Sequence, residues 1–264
     1  MSNELELSLS ANGILTITMN RPEVHNAFDD VQIARLTSAL DNASADPAVR
    51  VVIIGSTGKN FSAGGDINYM RRMGGNTYEE NLADGGQLAR LMKTLNFLPK
   101  PTIARVQGAA MGGGVGLVSC CDFAIGTAST KLALTEVKLG MVPATISPYV
   151  VMTIGEKAAR RLFMTGQPVK GEDALTLGFL SQVVAEEQLD SAVETLAENL
   201  LKNAPAAVTL AKQLAIDVAA GDINDALIAS TIKVIADVRD SDEGREGLSA
   251  FLEKRAPAWL ASSD

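Results

Sequence analysis

The run Gly108-Ala-Ala-Met-Gly-Gly-Gly-Val-Gly116, with Glu136 twenty residues beyond it, constrains this chain more than any other feature. A second glycine loop, Phe61-Ser-Ala-Gly-Gly-Asp-Ile67, lies upstream. Each follows a short apolar segment rich in β-branched residues, Val51 to Ile54 or Thr102 to Val106, and each runs into a helical pattern. Two strand-to-helix turns of this kind present bare amides, because glycine lets a ligand approach the backbone and the first amides of a helix carry partial positive charge. Facing each other, such turns would hold one developing oxyanion, and a nearby carboxylate would move the proton.

The surrounding pattern predicts strands and helices in alternation. Leu5, Leu7 and Leu9, the pair Asn12-Gly13, and Ile14 to Met19 read as an opening hairpin with a tight turn. Helical periods follow over Asp29 to Ala45, Ile67 to Met73 and Tyr78 to Leu98, with Val51 to Gly55 and Thr102 to Val106 as buried strands between them. A short helix through Cys120 and short strands at Phe123 to Ile125 and Leu132 to Leu134 come next. Strand, strand, helix thus recurs before residue 190, which predicts an α/β spiral of stacked units closed by helices. Beyond Ser181 to Val184 only helical periods remain: Leu189 to Asn203, Pro205 to Ala219, Asp222 to Arg239 and Asp242 to Lys254. The expected division is a core over 1–198 and a helical region over 199–264, without a flexible linker, so that the tail packs on the core or on a neighbour. Its apolar positions exceed what one core face requires, which points to a homo-oligomer.

Composition excludes several classes. The 264 residues are 47% hydrophobic and 20% charged, enough for a sizeable core in a globular chain, and no apolar run nears the roughly 18 residues needed to span a bilayer. The first six residues lack the basic start and apolar stretch of a signal peptide, so a reducing cytoplasm is the expected setting. Cys120 and Cys121 are adjacent, which suits neither a stapling disulfide nor a zinc framework, and both are expected in helix packing. A net charge of -8 opposes a nucleic-acid surface, and Arg71-Arg72 and Arg160-Arg161 are pairs rather than a stripe. Gly112, Gly114 and Gly116 lack the third glycine of a dinucleotide loop, since Leu117 holds its place. Gly58-Lys59 runs into Asn60, not a phosphate-loop Ser or Thr. No G-x-S-x-G elbow exists, and one histidine, His25, supports neither a serine triad nor a metal site.

Glycine amides with a carboxylate survive this elimination, and here a resemblance becomes specific. Asn20-Arg-Pro-Glu-Val-His-Asn-Ala27, the two glycine loops, Thr135-Glu-Val-Lys-Leu-Gly-Met-Val-Pro143 and Gly247-Leu-Ser-Ala-Phe-Leu-Glu-Lys-Arg255 resemble, in order and spacing, the crotonase or enoyl-CoA hydratase/isomerase superfamily. Asn68-Tyr-Met-Arg-Arg-Met73, Tyr78-Glu-Glu-Asn-Leu-Ala-Asp84 and Ile146-Ser-Pro-Tyr-Val-Val151 are similar to its bacterial 3-methylglutaconyl-CoA hydratase-like group. The resemblance implies a crotonase-type spiral of ββα repeats with a helical C-terminal trimerisation region, usually a dimer of trimers. It implies no prosthetic group and no metal, only coenzyme A carried by the acyl-CoA substrate.

Carried over residue by residue, the resemblance assigns the oxyanion amides to Gly65 and Gly113 and the proton-transferring carboxylate to Glu136. Apolar neighbours of Glu136, among them Leu134, Val137 and Met141, would raise its pKa toward neutrality. Arg21, Glu23, Ala63, Asp66 and Ile67 match segments that line the coenzyme A portion, with Lys59, Phe251 and Lys254 at its phosphates and adenine. Glu23 departs from the basic residue some relatives carry, and His25 is read as a loop contact. Gly116, Met141 and Arg71 are expected at the substrate pocket, with Arg71 or Arg72 to orient a substrate carboxylate. Family hydratases usually carry a second glutamate where this chain has Gly116. Two enzymatic readings follow: a hydratase of a branched, glutaconyl-like 2-enoyl thioester in which another group replaces the missing acid, or a 3-enoyl to 2-enoyl isomerase needing one carboxylate. A noncatalytic RNA-binding role, the reading from another class, is opposed by the acidic balance and the lack of interleaved basic and aromatic residues.

Overall fold

Side-chain alternation decides the first elements of the computed structural model, which describes residues 4–260. β1 (Leu5–Leu9) and β2 (Ile14–Met19) pair antiparallel, with Leu5 opposite Met19, and Leu15, Ile17 and Met19 turn to the core. Their loop is four residues rather than the tight turn expected: the Ser10 amide donates to the Ile14 carbonyl at 2.9 Å, and Gly13 takes a φ of 94°. α1 (Asp30–Ala45) starts where the Asp29 carboxylate accepts from the Gln32 amide, and it buries Ile33, Leu36 and Leu40. β3 (Val51–Ser56) is buried throughout, as a central parallel strand covered on both faces must be.

α2 (Ile67–Met73) and α3 (Tyr78–Asn96) follow, the latter opened by a capping box between Thr77 and Glu80. β4 (Thr102–Val106), β5 (Ala109–Met111), α4 (Gly113–Cys120), β6 (Phe123–Thr127) and β7 (Lys131–Ala133) complete the glycine-rich region. α5 (Ser147–Thr165), β8 (Val169–Lys170), α6 (Gly171–Leu177), β9 (Gln182–Val184) and α7 (Leu189–Leu201) lead to α8 (Pro205–Ala219), α9 (Asp225–Asp240) and α10 (Asp242–Glu253). The large sheet has the order β1-β2-β3-β4-β6-β9, parallel from β2 onward, and β5-β7-β8 form a small one. β4 passes to β5 and β6 to β7, one strand in each sheet per turn, which is the predicted spiral.

One apolar core fills the space between the large sheet and α1, α3 and α4; a second lies on the sheet's other face, where Val51, Ile53, Ile103 and Ile125 meet Leu189, Val193 and Ala197 of α7. The expected boundary near residue 198 therefore falls inside α7, which is a core helix. α8 docks through polar anchors: Lys212 Nζ meets Asp122 at 2.8 Å, and Thr209 donates to the Pro99 carbonyl at 2.8 Å. In α8, α9 and α10 only Ala250 is buried, while Ile228, Ile232, Leu248 and Phe251 stay exposed. Cys120 packs with its Sγ 3.7 Å from Met92 Sδ, and half-buried Cys121 ends α4. Burial pushes both thiols up, Cys121 to about 12, so neither is a thiolate nucleophile at neutral pH.

Candidate active site

The two glycine loops are tied to each other by main-chain pairing. The Ser62 amide donates to the Ala109 carbonyl at 3.1 Å, and Met111 returns a bond to the Ser62 carbonyl at 2.9 Å, which lays the upstream loop along β5. On its other side the Phe28 amide donates to the Gly64 carbonyl at 2.8 Å and Asp66 to the Phe28 carbonyl at 3.1 Å. Because Gly64 and Asp66 both face Phe28, alternation turns the Gly65 amide the opposite way. Gly113 is the first residue of α4 and its amide has no intrahelical acceptor. Neither amide makes a hydrogen bond among the described residues, and both glycines line one cavity of about 410 Å³.

Glu136 lines the same cavity. It opens a short 3-10 turn, Glu136–Leu139, directly after β7, and a Cβ built on Gly112 would stand 3.1 Å from its Oε1. Gly112 carries a φ of 51°, so both its conformation and its missing side chain keep the carboxylate's place beside the start of α4. Glu136 Oε2 is buried without a hydrogen-bond partner among the described residues. Burial pushes this carboxyl above its ordinary value, and the bond from its own amide pulls back less strongly. Two free amides and an unpartnered, raised-pKa carboxyl in one apolar-walled space can polarise a carbonyl and exchange a proton beside it.

The structure brings Ala63, Gly65, Gly113, Glu136 and Met141 together at this cavity. Glu23, Lys59 and Ile67 are exposed. Four residues are placed otherwise than the sequence suggested. The Arg21 guanidinium turns inward, donating to the Ala27 carbonyl at 3.0 Å and to Asp66 at 3.1 Å, with Asp29 at 3.5 Å, so it fastens loops. Asp66 is its buried partner and the cap of α2, accepting from Asn68 at 2.8 Å and Tyr69 at 3.3 Å. Burial acts to raise the Asp66 pKa, but those two amides and Arg21 together hold it below the usual range. Arg71 lies outside the cavity and donates to Asn68 on its own helix at 3.2 Å; no Lys or Arg lines the cavity among the described residues.

Gly116 is the fourth. It is buried inside α4, away from the cavity wall, and a Cβ there would lie 2.4 Å from Ile146 Cγ2 and 3.0 Å from Met92 Sδ. The second glutamate's place is therefore filled by an isoleucine side chain. Phe251 lines a separate apolar cavity with Leu248 and Trp259 of the helical tail, and Lys254 ends α10 in a left-handed turn, so one protomer does not bring them to Glu136. His25 remains a loop contact, its Nδ1 3.2 Å from the Asn60 amide group.

Sequence reasoning missed the side chains that hold the loops in place. Asn26, buried in a left-handed turn at φ 54°, donates to the carbonyls of Thr57 at 2.8 Å and Asn60 at 2.9 Å, and the Ser62 hydroxyl donates to the Asn26 carbonyl at 2.8 Å. The signal was the paired His25-Asn26, residue types that tolerate such turns. Tyr69 and Asp84, which also line the cavity, were quoted as motif letters without a role.

Known proteins share this fold. The chain is 32% identical over 250 residues to the crotonyl-CoA hydratase of Syntrophomonas wolfei, covering 94% of this chain and 95% of that one. Solved enoyl-CoA hydratases from Shewanella pealeana and Mycobacterium smegmatis superpose with TM-scores of 0.94 and 0.93 at 40% and 32% identity. They cover 97% and 98% of this chain and 96% and 100% of their own. The enoyl-CoA hydratase/isomerase family model matches residues 10–262, and the chain, which has the crotonase fold, belongs to that family of enzymes acting on coenzyme A thioesters.

Proposed function

We propose that the protein adds water reversibly to a branched 2-enoyl-CoA thioester, with Glu136 exchanging the proton at the α-carbon. The observation that carries this reading is the buried, unpartnered Glu136 carboxyl in the cavity shared with the free amides of Gly65 and Gly113. Donated hydrogen bonds from both amides to the thioester oxygen draw electron density from the conjugated double bond, so the β-carbon accepts water and the α-carbon then takes a proton. The acyl chain enters between Phe28, Met70, Leu88 and Met141, and a space of about 410 Å³ suits a short, branched chain. A glutaconyl-type distal carboxylate would find only uncharged donors there, Asn81, Thr135 and Thr145, with the Tyr69 hydroxyl already given to Asp84. Glu23, Lys59, Ala63 and Ile67 supply the outer face for the coenzyme portion, with Phe251 and Lys254 closing on it from the helical tail of a neighbouring copy in a trimer or dimer of trimers. The exposed apolar faces of α9 and α10 support that assembly, and bacterial relatives support a cytoplasmic setting.

Isomerisation of 3-enoyl to 2-enoyl thioesters is the second reading, favoured by Ile146 in the place of a second glutamate. A panel of crotonyl-CoA, 3-methylglutaconyl-CoA, a branched 2-enoyl-CoA and a 3-enoyl-CoA, followed separately for hydration and double-bond migration, decides between them. Hydration fastest on a branched 2-enoyl thioester is expected. Migration of the 3-enoyl double bond with no hydration of any member gives the case to the isomerase.

A further inference from the structure

Glu136 shares its cavity with a second carboxylate. Asp84 of α3 lines the wall that also holds Tyr69 and Met70 of α2, and the Tyr69 hydroxyl donates to Asp84 Oδ1. Tyr69 is 9% exposed and held on two sides: its amide donates to Asp66 at 3.3 Å, and the Arg72 guanidinium lies 5.5 Å from the ring centroid, itself anchored to Asp30 at 2.6 Å. Burial and the neighbouring Asp84 push the phenol's pKa up, so Tyr69 stays a donor. Asp84 lines the cavity and has no other hydrogen bond among the described residues, which leaves its second oxygen without a partner. One cavity thus holds a carboxylate oriented by a locked phenol and a carboxyl that burial drives toward its protonated form.

We propose that Asp84, positioned by Tyr69, is the second acid-base carboxylate of the hydration, in place of the glutamate that Gly116 lacks. The assignment rests on the hydratase reading above. Asp84 takes a proton from water as the water oxygen bonds to the β-carbon. The double-bond pair moves toward the thioester oxygen, held by the Gly65 and Gly113 amides, and collapse of this enolate takes the proton of Glu136 onto the α-carbon. Asp84 ends protonated and Glu136 ionised, and exchange with solvent restores both. Atoms and charge balance without any further reactant.

The test uses the assembled enzyme and a branched 2-enoyl-CoA thioester. Asp84→Asn keeps an acceptor for Tyr69, so the fold is expected to persist. Its hydration kcat should fall about a hundredfold or more with KM little changed, since the lost group acts on the proton in flight. Exchange of the α-proton of the saturated acyl-CoA with deuterated water needs only Glu136 and the two amides, and should persist. Tyr69→Phe frees Asp84 to rotate and should lower kcat about tenfold, again with KM retained. Hydration by Asp84→Asn within about threefold of the parent overturns the proposal. Equal loss of hydration and α-proton exchange in a folded Asp84→Asn also overturns it, since that outcome shows disturbance of the whole site. Migration of a 3-enoyl double bond with no hydration by the unmutated enzyme would instead remove the underlying hydratase reading.

Discussion

Replacing Gly116 tests whether that position is a vacant acid site or space reserved for packing. A methyl group there would meet Ile146 Cγ2 at 2.4 Å and Ile146 Cβ at 3.0 Å, against an optimum of about 3.5–4.0 Å between carbons. Ile146 cannot swing aside cheaply, because it is buried and sits at the residue that starts α5. Overpacking of this size costs about 1–3 kcal/mol, offset by about 1 kcal/mol from the higher helix propensity of alanine, so Gly116→Ala should be destabilised by up to about 2 kcal/mol. Ile146→Ala alone should cost about 2–5 kcal/mol through its cavity. In the double variant the new methyl occupies space the isoleucine vacates, and the pair should be more stable than the sum of the two by about 1–3 kcal/mol. Denaturant titrations at one fixed protomer concentration measure all four corners, which matters because assembly contributes to apparent stability. Additivity within about 0.5 kcal/mol would refute the packing argument. So would a Gly116→Glu protein of parental stability that hydrates crotonyl-CoA faster.

Asp66→Ala removes the cap of α2 and leaves Arg21 buried beside a gap, and should cost about 3–5 kcal/mol in a thermal or denaturant melt. Since the folded-state pKa of Asp66 is lowered, its contribution is present above the unfolded value and is lost as pH falls through the folded one; the variant's deficit should therefore shrink in acid. Glu136 has the opposite sign: its folded pKa is raised, so it favours the fold at low pH and loses that contribution as pH rises through the folded pKa. Glu136→Gln should accordingly melt higher than the parent at neutral pH, with the gap closing in acid. Gly113→Ala places a Cβ 2.5 Å from Phe28 Cζ and displaces the amide proposed to hold the thioester oxygen, so kcat should drop by roughly a hundredfold in steady-state assays while coenzyme A binding holds.

Local chemistry made much of this legible. Glycine runs after β-branched segments gave both turns, and alternation and helical periods gave β1 to β4, α1 to α3 and the tail. Elements whose signal is short or interrupted were not readable: β5 and β8 are three and two residues long and gain meaning only from sheet pairing, and α5 is broken by Gly155 at φ 74°. The cavity was legible where backbone or an isolated carboxyl lines it, as at Gly65, Gly113 and Glu136. It failed for charged side chains whose partners are distant in sequence: Arg21 meets Asp66 across 45 residues, and only the folded loops show that the guanidinium points inward. The same distance hid the Tyr69 to Asp84 pair, since α2 and α3 must pack before a phenol and a carboxylate can meet.

Turnover by Glu136→Gln, measured beside thioester binding in the same preparation, tests the central claim most directly. The amide fits the carboxyl's place but cannot donate or accept the proton, so hydration should fall about a hundredfold or more while the dissociation constant for the thioester stays nearly unchanged. Near-parental turnover by the purified variant would contradict the account.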